Sequence, residues 1–305
     1  MGLAGSVSVR VMGRGLAEHI GRTPLVRLKS FEKPGVKVFA KCEMFNPGGS
    51  VKDRPALYIM LEAERKGLLT GDKILLDATS GNTGVAYAML GAAMGYRVKM
   101  FSPSNISRQK LAKMRSFGAE VVLTEALEGM DGAIRKAREL YEQEPSKYFY
   151  ADQYNNPANP LAHYETTGPE IWVQTNGQVT HVVAGVGTSG TLQGISRFME
   201  EKNPGIAVVE VQPESEFHGI EGLKYMKSAL RPGLYSEEYA DTRFFVKTEE
   251  AIQTMRELHR REDVLAGSSG GAALAAASRL VEELRTGVVV VILPDGYTNQ
   301  LPETR

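Results

Sequence analysis

Four segments of this chain repeat one pattern: a short apolar run, a loop of glycines and hydroxyls, then a helical stretch. Residues 36–41 (VKVFAK) lead through NPGGS into a helical pattern over 51–66. Residues 73–78 (KILLDA) lead through TSGNTG into 83–95, and 96–101 (YRVKMF) through SPSNIS into 107–117. Residues 181–186 (HVVAGV) lead through GTSG into 191–202. Apolar strands that alternate with helices in this way specify βαβ units, since a parallel strand is buried on both faces and needs a crossover to return. Further on, 249–261 reads as an amphipathic helix, 269–285 as an Ala-rich helix and 288–293 (VVVVIL) as a buried strand. The pattern predicts an α/β chain.

With 305 residues, and roughly 150 residues to a domain, two domains are expected. The break is expected in the polar, Pro-rich stretch 152–160 (DQYNNPANP), where Asn156-Pro157 and Asn159-Pro160 disfavour a continuing helix. Two open, twisted α/β domains would then face each other across a cleft. Ligands of such folds sit beyond the carboxyl ends of the strands, where these loops gather.

Basic and acidic residues number 36 each, so net charge gives no overall drive toward nucleic acid or an anionic membrane. No stretch reaches the roughly 18 apolar residues of a transmembrane helix. The N-terminal residues MGLAGSVSVRVMGRGL carry no signal-peptide core. Cys42 is the single cysteine, which excludes a disulfide framework and points to a reducing compartment. A cytoplasmic protein is expected. His19, His163, His181, His218 and His259 show no metal-ligand spacing, so no metal site is expected. Cys42 reads as a small buried residue and Trp172 as core.

Chemistry is expected in the loops. In the first, Asn46 to Arg54 (NPGGSVKDR), Ser50 fits a helix N-cap, which places Lys52 in the first turn. The helix dipole disfavours a cation there. A lysine with a depressed pKa suits a nucleophilic amine, but a shift from about 10.4 to about 7–8 needs roughly 4 kcal/mol, of which the dipole gives about 1. Burial or covalent engagement must supply the rest; the plainer alternative is a surface lysine paired with Asp53.

The second loop, Thr79-Ser80-Gly81-Asn82-Thr83-Gly84, joins a strand to a helix and offers hydroxyls, an amide and backbone N–H groups to an anion. It also reads as a plain capping turn. The third, Gly185 to Thr191, matches G-x-G-x-x-G, with Glu210 placed 20 residues after Gly190 in the next strand. That keeps a nicotinamide dinucleotide open. Thr188, Ser189 and Thr191 crowd the loop with hydroxyls, which favours wrapping one terminal phosphate. The fourth, Gly267 to Gly271, precedes the Ala-rich helix and reads as an N-cap with small residues.

A poised lysine, a carboxylate loop and a phosphate loop together describe a pyridoxal phosphate enzyme. GRTPLVRL (21–28), NPGGSVKDR (46–54), ATSGNTG (78–84), DQYNNPANPLAHYETTGPEIW (152–172), VGTSGT (186–191) and AGSSGGAALAAA (266–277) resemble the cysteine synthase family, collinearly from about Ile20 to Asp295. Within it, EIWVQTNGQVTHVV, ISRFMEE and TMRELHRRED are most similar to B-type O-acetylserine sulfhydrylases.

The resemblance implies the fold-type II pyridoxal phosphate architecture, related to the tryptophan synthase β chain, usually as a homodimer. It implies a smaller mobile domain over 45–150 and a larger one from 1–44 plus 151–305. Lys52 matches the Schiff-base lysine and general base, and Asn82 the partner of the cofactor's 3′ oxygen. Thr79, Ser80, Thr83 and Gln153 match the groups that hold the substrate α-carboxylate. Gly187, Thr188, Ser189, Gly190 and Thr191 match the phosphate cup, Ser269 the hydroxyl facing the pyridine nitrogen, and Gly222 a backbone bordering the substrate.

The implied reaction is β-replacement on O-acetyl-L-serine through α-aminoacrylate, with sulfide or thiosulfate as sulfur donor. O-phosphoserine sulfhydrylase and cystathionine β-synthase activities share this chemistry. An NAD-dependent dehydrogenase and a catalytically silent binding paralogue are the readings from other classes. Two stretches depart from the family: the residues after Pro294-Asp295-Gly296, and 223–231 (LKYMKSALR), which lacks the arginines common in B-type enzymes.

Overall fold

The structure, a computed structural model, describes residues 15–79 and 81–296. Strand β1 (Leu25–Arg27) pairs antiparallel with β2 (Val36–Cys42). There follow α1 (Asp53–Arg65), β3 (Ile74–Ala78), α2 (Asn82–Met94), β4 (Arg97–Pro103), α3 (Arg108–Ser116), β5 (Glu120–Thr124), α4 (Gly129–Gln143) and β6 (Tyr148–Tyr150). Helix α5 (Ala158–Ala162) passes through a π-helical turn, His163–Thr167, into α6 (Gly168–Gln174). The rest is β7 (His181–Gly185), α7 (Gly190–Lys202), β8 (Ala207–Pro213), β9 (Thr242–Val246), α8 (Thr248–Glu262), α9 (Ser268–Glu283) and β10 (Gly287–Leu293).

Two sheets result, as the alternating pattern predicted. One has the order β1-β2-β10-β7-β8-β9 and is parallel except for β1. The other, β5-β4-β3-β6, is parallel throughout. Strand β10 is central because Val289 to Leu293 are buried on both faces, between β2 and β7. Each such side chain contributes about 1.5–3 kcal/mol on burial. Small residues let α9 lie close on its neighbours: a Cβ on Gly271 would stand 2.1 Å from the Ala251 carbonyl of α8. Around the other sheet, α1 and α2 share a core through Leu57, Met60, Tyr87 and Leu90, completed by Ala17 and Ala158.

The expected break at 152–160 behaves differently from the reading of its prolines. Pro157 stands at the N-cap of α5, where Asn156 Oδ1 accepts the Ala158 N–H at 3.0 Å. Pro160 then lies inside the first turn. First-turn N–H groups have no helical partner, so the proline ring removes no bond there. Gln153 and Asn159 are buried.

A buried ion network fixes the start of α1. The Arg54 guanidinium donates to Glu43 at 2.7 and 2.8 Å and to Glu170 at 2.7 and 2.8 Å, while Lys41 Nζ donates to Glu170 at 2.6 Å. Arg54, Lys41 and Glu43 are each almost wholly buried. Removing one partner of such a set costs about 3–5 kcal/mol, because a charge is left unpaired. The network ties α1 to β2 and α6 and thereby holds the backbone two residues from Lys52. Cys42 is buried as expected, its thiol pushed up to about 12 by that burial. Trp172 is half-buried at the edge of the core around α7.

Candidate active site

A cavity of about 570 Å³ opens beyond the carboxyl ends of β3, β7 and β10. Lys52 enters it from the loop between β2 and α1. That loop is fastened to the end of β10, where the Val51 N–H donates to the Pro294 carbonyl at 2.7 Å. The Ser50 hydroxyl accepts the Lys52 N–H at 3.2 Å, but α1 begins at Asp53. Ser50 therefore caps the turn ahead of the helix, and Lys52 stands at the helix N-cap and not within its first turn. Burial pushes the Lys52 ammonium below the ordinary lysine range, against the pull of the Asp295 and Glu43 carboxylates. Its Nζ makes no hydrogen bond to any of the described residues.

The second loop follows β3. Thr79 Oγ1 accepts the N–H groups of Gly81 and Gly84 at 3.0 and 3.1 Å, so it does cap α2. With its oxygen loaded by two donors, its own O–H is left to face the cavity it lines. Ser80 lies outside the described residues. Thr83 and Gln153 both line the cavity and meet each other: Thr83 donates to Gln153 Oε1 at 2.7 Å, and Gln153 Nε2 donates to the Ala78 carbonyl at 2.7 Å. One amide hydrogen of Gln153 remains. Asn82 also lines the cavity, and its amide donates to Asp295 Oδ2 at 2.7 Å.

The third loop follows β7. Gly187, Thr188, Ser189 and Thr191 line the cavity; Gly190 sits behind them, packed on Asn159. Ser189 holds a left-handed φ of 74°. A Cβ on Gly187 would lie 2.3 Å from the Gly222 carbonyl, so glycine is required where the 219–224 loop crosses the cup. Gly222 itself has φ +88°, a left-handed value that favours glycine. Ser269, in the first turn of α9, lines the same cavity.

The dinucleotide alternative loses its ribose ligand. Glu210 is fully buried mid-strand, and accepts from Tyr235 Oη at 3.0 Å, Arg243 Nε at 3.1 Å and Gln212 Nε2. Its carboxylate is spent inside the sheet.

Several residues at the site escaped the sequence reading. Lys110 of α3 forms an ion pair with Glu221 at 2.6 Å across the cavity lining. Asp295 is buried beside Lys52; burial raises its pKa, and Lys110, Asn82 and Lys52 oppose that rise. Asn159 and His163 back the cup. No spacing rule reports contacts between residues so far apart in the chain.

Residues 16–295 match the family model described as pyridoxal-phosphate dependent enzyme. The chain belongs to the pyridoxal-phosphate dependent enzyme family. It is 49% identical over 285 residues to a cysteine synthase of Aquifex aeolicus, covering 91% of this chain and 87% of that protein. It is 43% identical over 281 residues to cysteine synthase B of Escherichia coli, covering 92% of each. A crystal structure of cysteine synthase from Entamoeba histolytica superposes with a TM-score of 0.88 at 36% identity, covering 97% of this chain and 91% of that one.

The cavity fits the cofactor of this pyridoxal-phosphate dependent enzyme. Ser189 Oγ is buried with no partner among the described residues, as a hydroxyl kept for a phosphate oxygen should be. Backbone N–H groups at the start of α7 and the flanking threonines complete a site for an anion. Lys52 places an amine in the same cavity, the kind of group an aldehyde cofactor would need.

Proposed function

We propose that the chain makes L-cysteine by β-replacement: O-acetyl-L-serine loses acetate, and sulfide adds to the β-carbon. The observation that carries the reading is one cavity lined by Lys52, whose Nζ has no hydrogen-bond partner among the described residues, by the hydroxyl-rich 187–191 loop and by Thr79, Thr83 and Gln153. Bound pyridoxal phosphate supplies an electron sink for the charge left at the substrate Cα.

The chain's own groups do the rest. Lys52 would hold the cofactor's aldehyde carbon and, once displaced by the substrate amine, take the Cα proton and later return it. Its burial-lowered pKa favours the neutral amine that a base needs. Thr188, Ser189 and Thr191, with the backbone of Gly187 and Gly190, would hold the phosphate. Ser269 would offer the ring nitrogen a neutral hydroxyl. Thr79, Gln153 and the first-turn backbone N–H of Thr83, whose hydroxyl is given to Gln153, would bind the α-carboxylate beside the Gly222 backbone, and Asn82 would bind the cofactor's ring oxygen.

In this reading 45–150 is the mobile smaller domain, the active form is a cytoplasmic homodimer, and sulfide is the sulfur source. Among the described residues no helix is long and apolar enough to cross a membrane. The test is cysteine formation from sulfide with O-acetylserine, O-phosphoserine or serine as donor. O-acetylserine should be used fastest; no turnover of it would overturn the reading.

A further inference from the structure

The segment DQYNNPANPLAH, at 152–163, carries two buried side chains that the proposed chemistry does not use. Asn159 is 2% exposed, and its Nδ2 donates to the Gln153 carbonyl at 2.7 Å and to Thr188 Oγ1 at 3.1 Å. A backbone carbonyl can only accept, so the amide orientation is fixed by Gln153. Asn159 must therefore donate to Thr188. The Gly190 N–H lies 3.4 Å from the same oxygen. Thr188 thus receives hydrogens from behind, and its own O–H has to point elsewhere, into the cavity.

His163 makes the equivalent contact to the other threonine. Its Nε2 lies 3.2 Å from Thr191 Oγ1, and its Nδ1 lies 2.9 Å from Thr167 Oγ1. The ring is fully buried, and burial together with Arg54 and Lys52 holds its pKa well below the ordinary histidine range. A neutral ring has one N–H. If Nδ1 accepts the Thr167 hydroxyl, Nε2–H donates to Thr191, and Thr191 also turns its hydrogen outward.

We propose that Asn159 and His163 are positioning residues that set the polarity of the cup: by donating to Thr188 and Thr191 from behind, they make both hydroxyls donors toward a phosphate. A hydroxyl can face an anion with its hydrogen or with its lone pairs, and only the first attracts. The arrangement makes an anion site without a cationic side chain in the cup. Asn159 also joins this cup to Gln153, so the segment braces both anion subsites at once. This rests on the reading that the cup takes the cofactor's phosphate.

The test compares affinity of the cofactor-free protein for pyridoxal phosphate and for pyridoxal, which lacks the phosphate. In Asn159→Leu and His163→Phe, the dissociation constant for pyridoxal phosphate should rise about 10- to 100-fold, the range for hydrogen bonds to charged groups. Pyridoxal binding should change less than about threefold, and His163→Gln, which keeps an N–H near the Nε2 position, should recover most of the loss. Asn159→Leu combined with Thr188→Val should lose little more than Thr188→Val alone, because both remove the same donor. Equal losses for the two ligands, or additive losses in the double variant, would overturn the proposal and leave Asn159 and His163 as mere packing. A wild-type protein that binds pyridoxal and pyridoxal phosphate equally would instead overturn the cup assignment beneath it.

Discussion

Single side chains here are shaped by what loads them from behind. Thr79 and Thr188 each accept two backbone or amide N–H groups, and Ser189 Oγ accepts none from the described residues. All three can therefore point hydrogens at a bound anion. Thr188→Val with Thr191→Val should weaken retention of pyridoxal phosphate by roughly 1–3 kcal/mol, through lost charge-assisted hydrogen bonds. Dialysis against cofactor-free buffer, followed by absorbance, measures this; unchanged retention would count against these hydroxyls as phosphate ligands. That Lys52, Gly187 and the hydroxyls of the 185–191 loop would gather at one cavity was legible in the sequence, since each stands in a loop between a strand and a helix, although Lys52 lies at the N-cap, just ahead of the expected first turn. Asp295, Lys110, Asn159 and His163 were not. Each acts through a partner distant in the chain, and nothing local to Asn159 says that Thr188 lies against it.

Elements were read well where their composition is uniform or a glycine loop precedes them, whereas the fifteen-residue α4 was not predicted. The Val-rich β10, the Ala-rich α9 and the helices following each glycine loop lie within two or three residues of their expected bounds. The short strands β1 and β6, three residues each, left no periodic pattern to read, and β1 supplies the antiparallel edge. Helix α5 was obscured by its prolines, whose cost vanishes in a first turn. Strand β3 carries one costly feature: Asp77 is fully buried, its carboxyl pushed up to about 8 by burial from 3.8. Between those values the folded chain keeps a proton that the unfolded chain has released. Stability therefore falls as pH rises through that window and levels off above it, by up to about 1.4 kcal/mol per pH unit. Asp77→Asn carries no such proton and should flatten the decline of stability between pH 5 and 8. Asp53, pushed up to about 7 by burial, remains to give part of the slope over the same range. Urea unfolding at several pH values checks this; an unchanged slope would show that Asp77 is ionised in the folded protein.

At the scale of the molecule, the cavity lies between two sheets, with Thr79 and Thr83 following a strand of one and the cup following a strand of the other. Gln153 stands between them, holding Thr83 through its side chain and Asn159 through its carbonyl. A substrate carboxylate that adds contacts available only in a closed arrangement would shift the population toward closure. Gln153→Ala should slow reaction with O-acetylserine by about 10- to 100-fold while leaving the absorbance of the bound cofactor unchanged. Rapid-mixing absorbance reads both quantities, and a variant reacting at the wild-type rate would remove Gln153 from the carboxylate site. On the proposed function, Lys52 is the amine that would hold the cofactor and move the Cα proton. Borohydride reduction of the cofactor-loaded protein, followed by peptide mass spectrometry and a turnover assay on Lys52→Ala, tests it most directly. One pyridoxyl-modified peptide, carrying Lys52, is expected, along with a folded Lys52→Ala protein at least about 100-fold slower in cysteine formation. Modification at another lysine, or full turnover without Lys52, would contradict it.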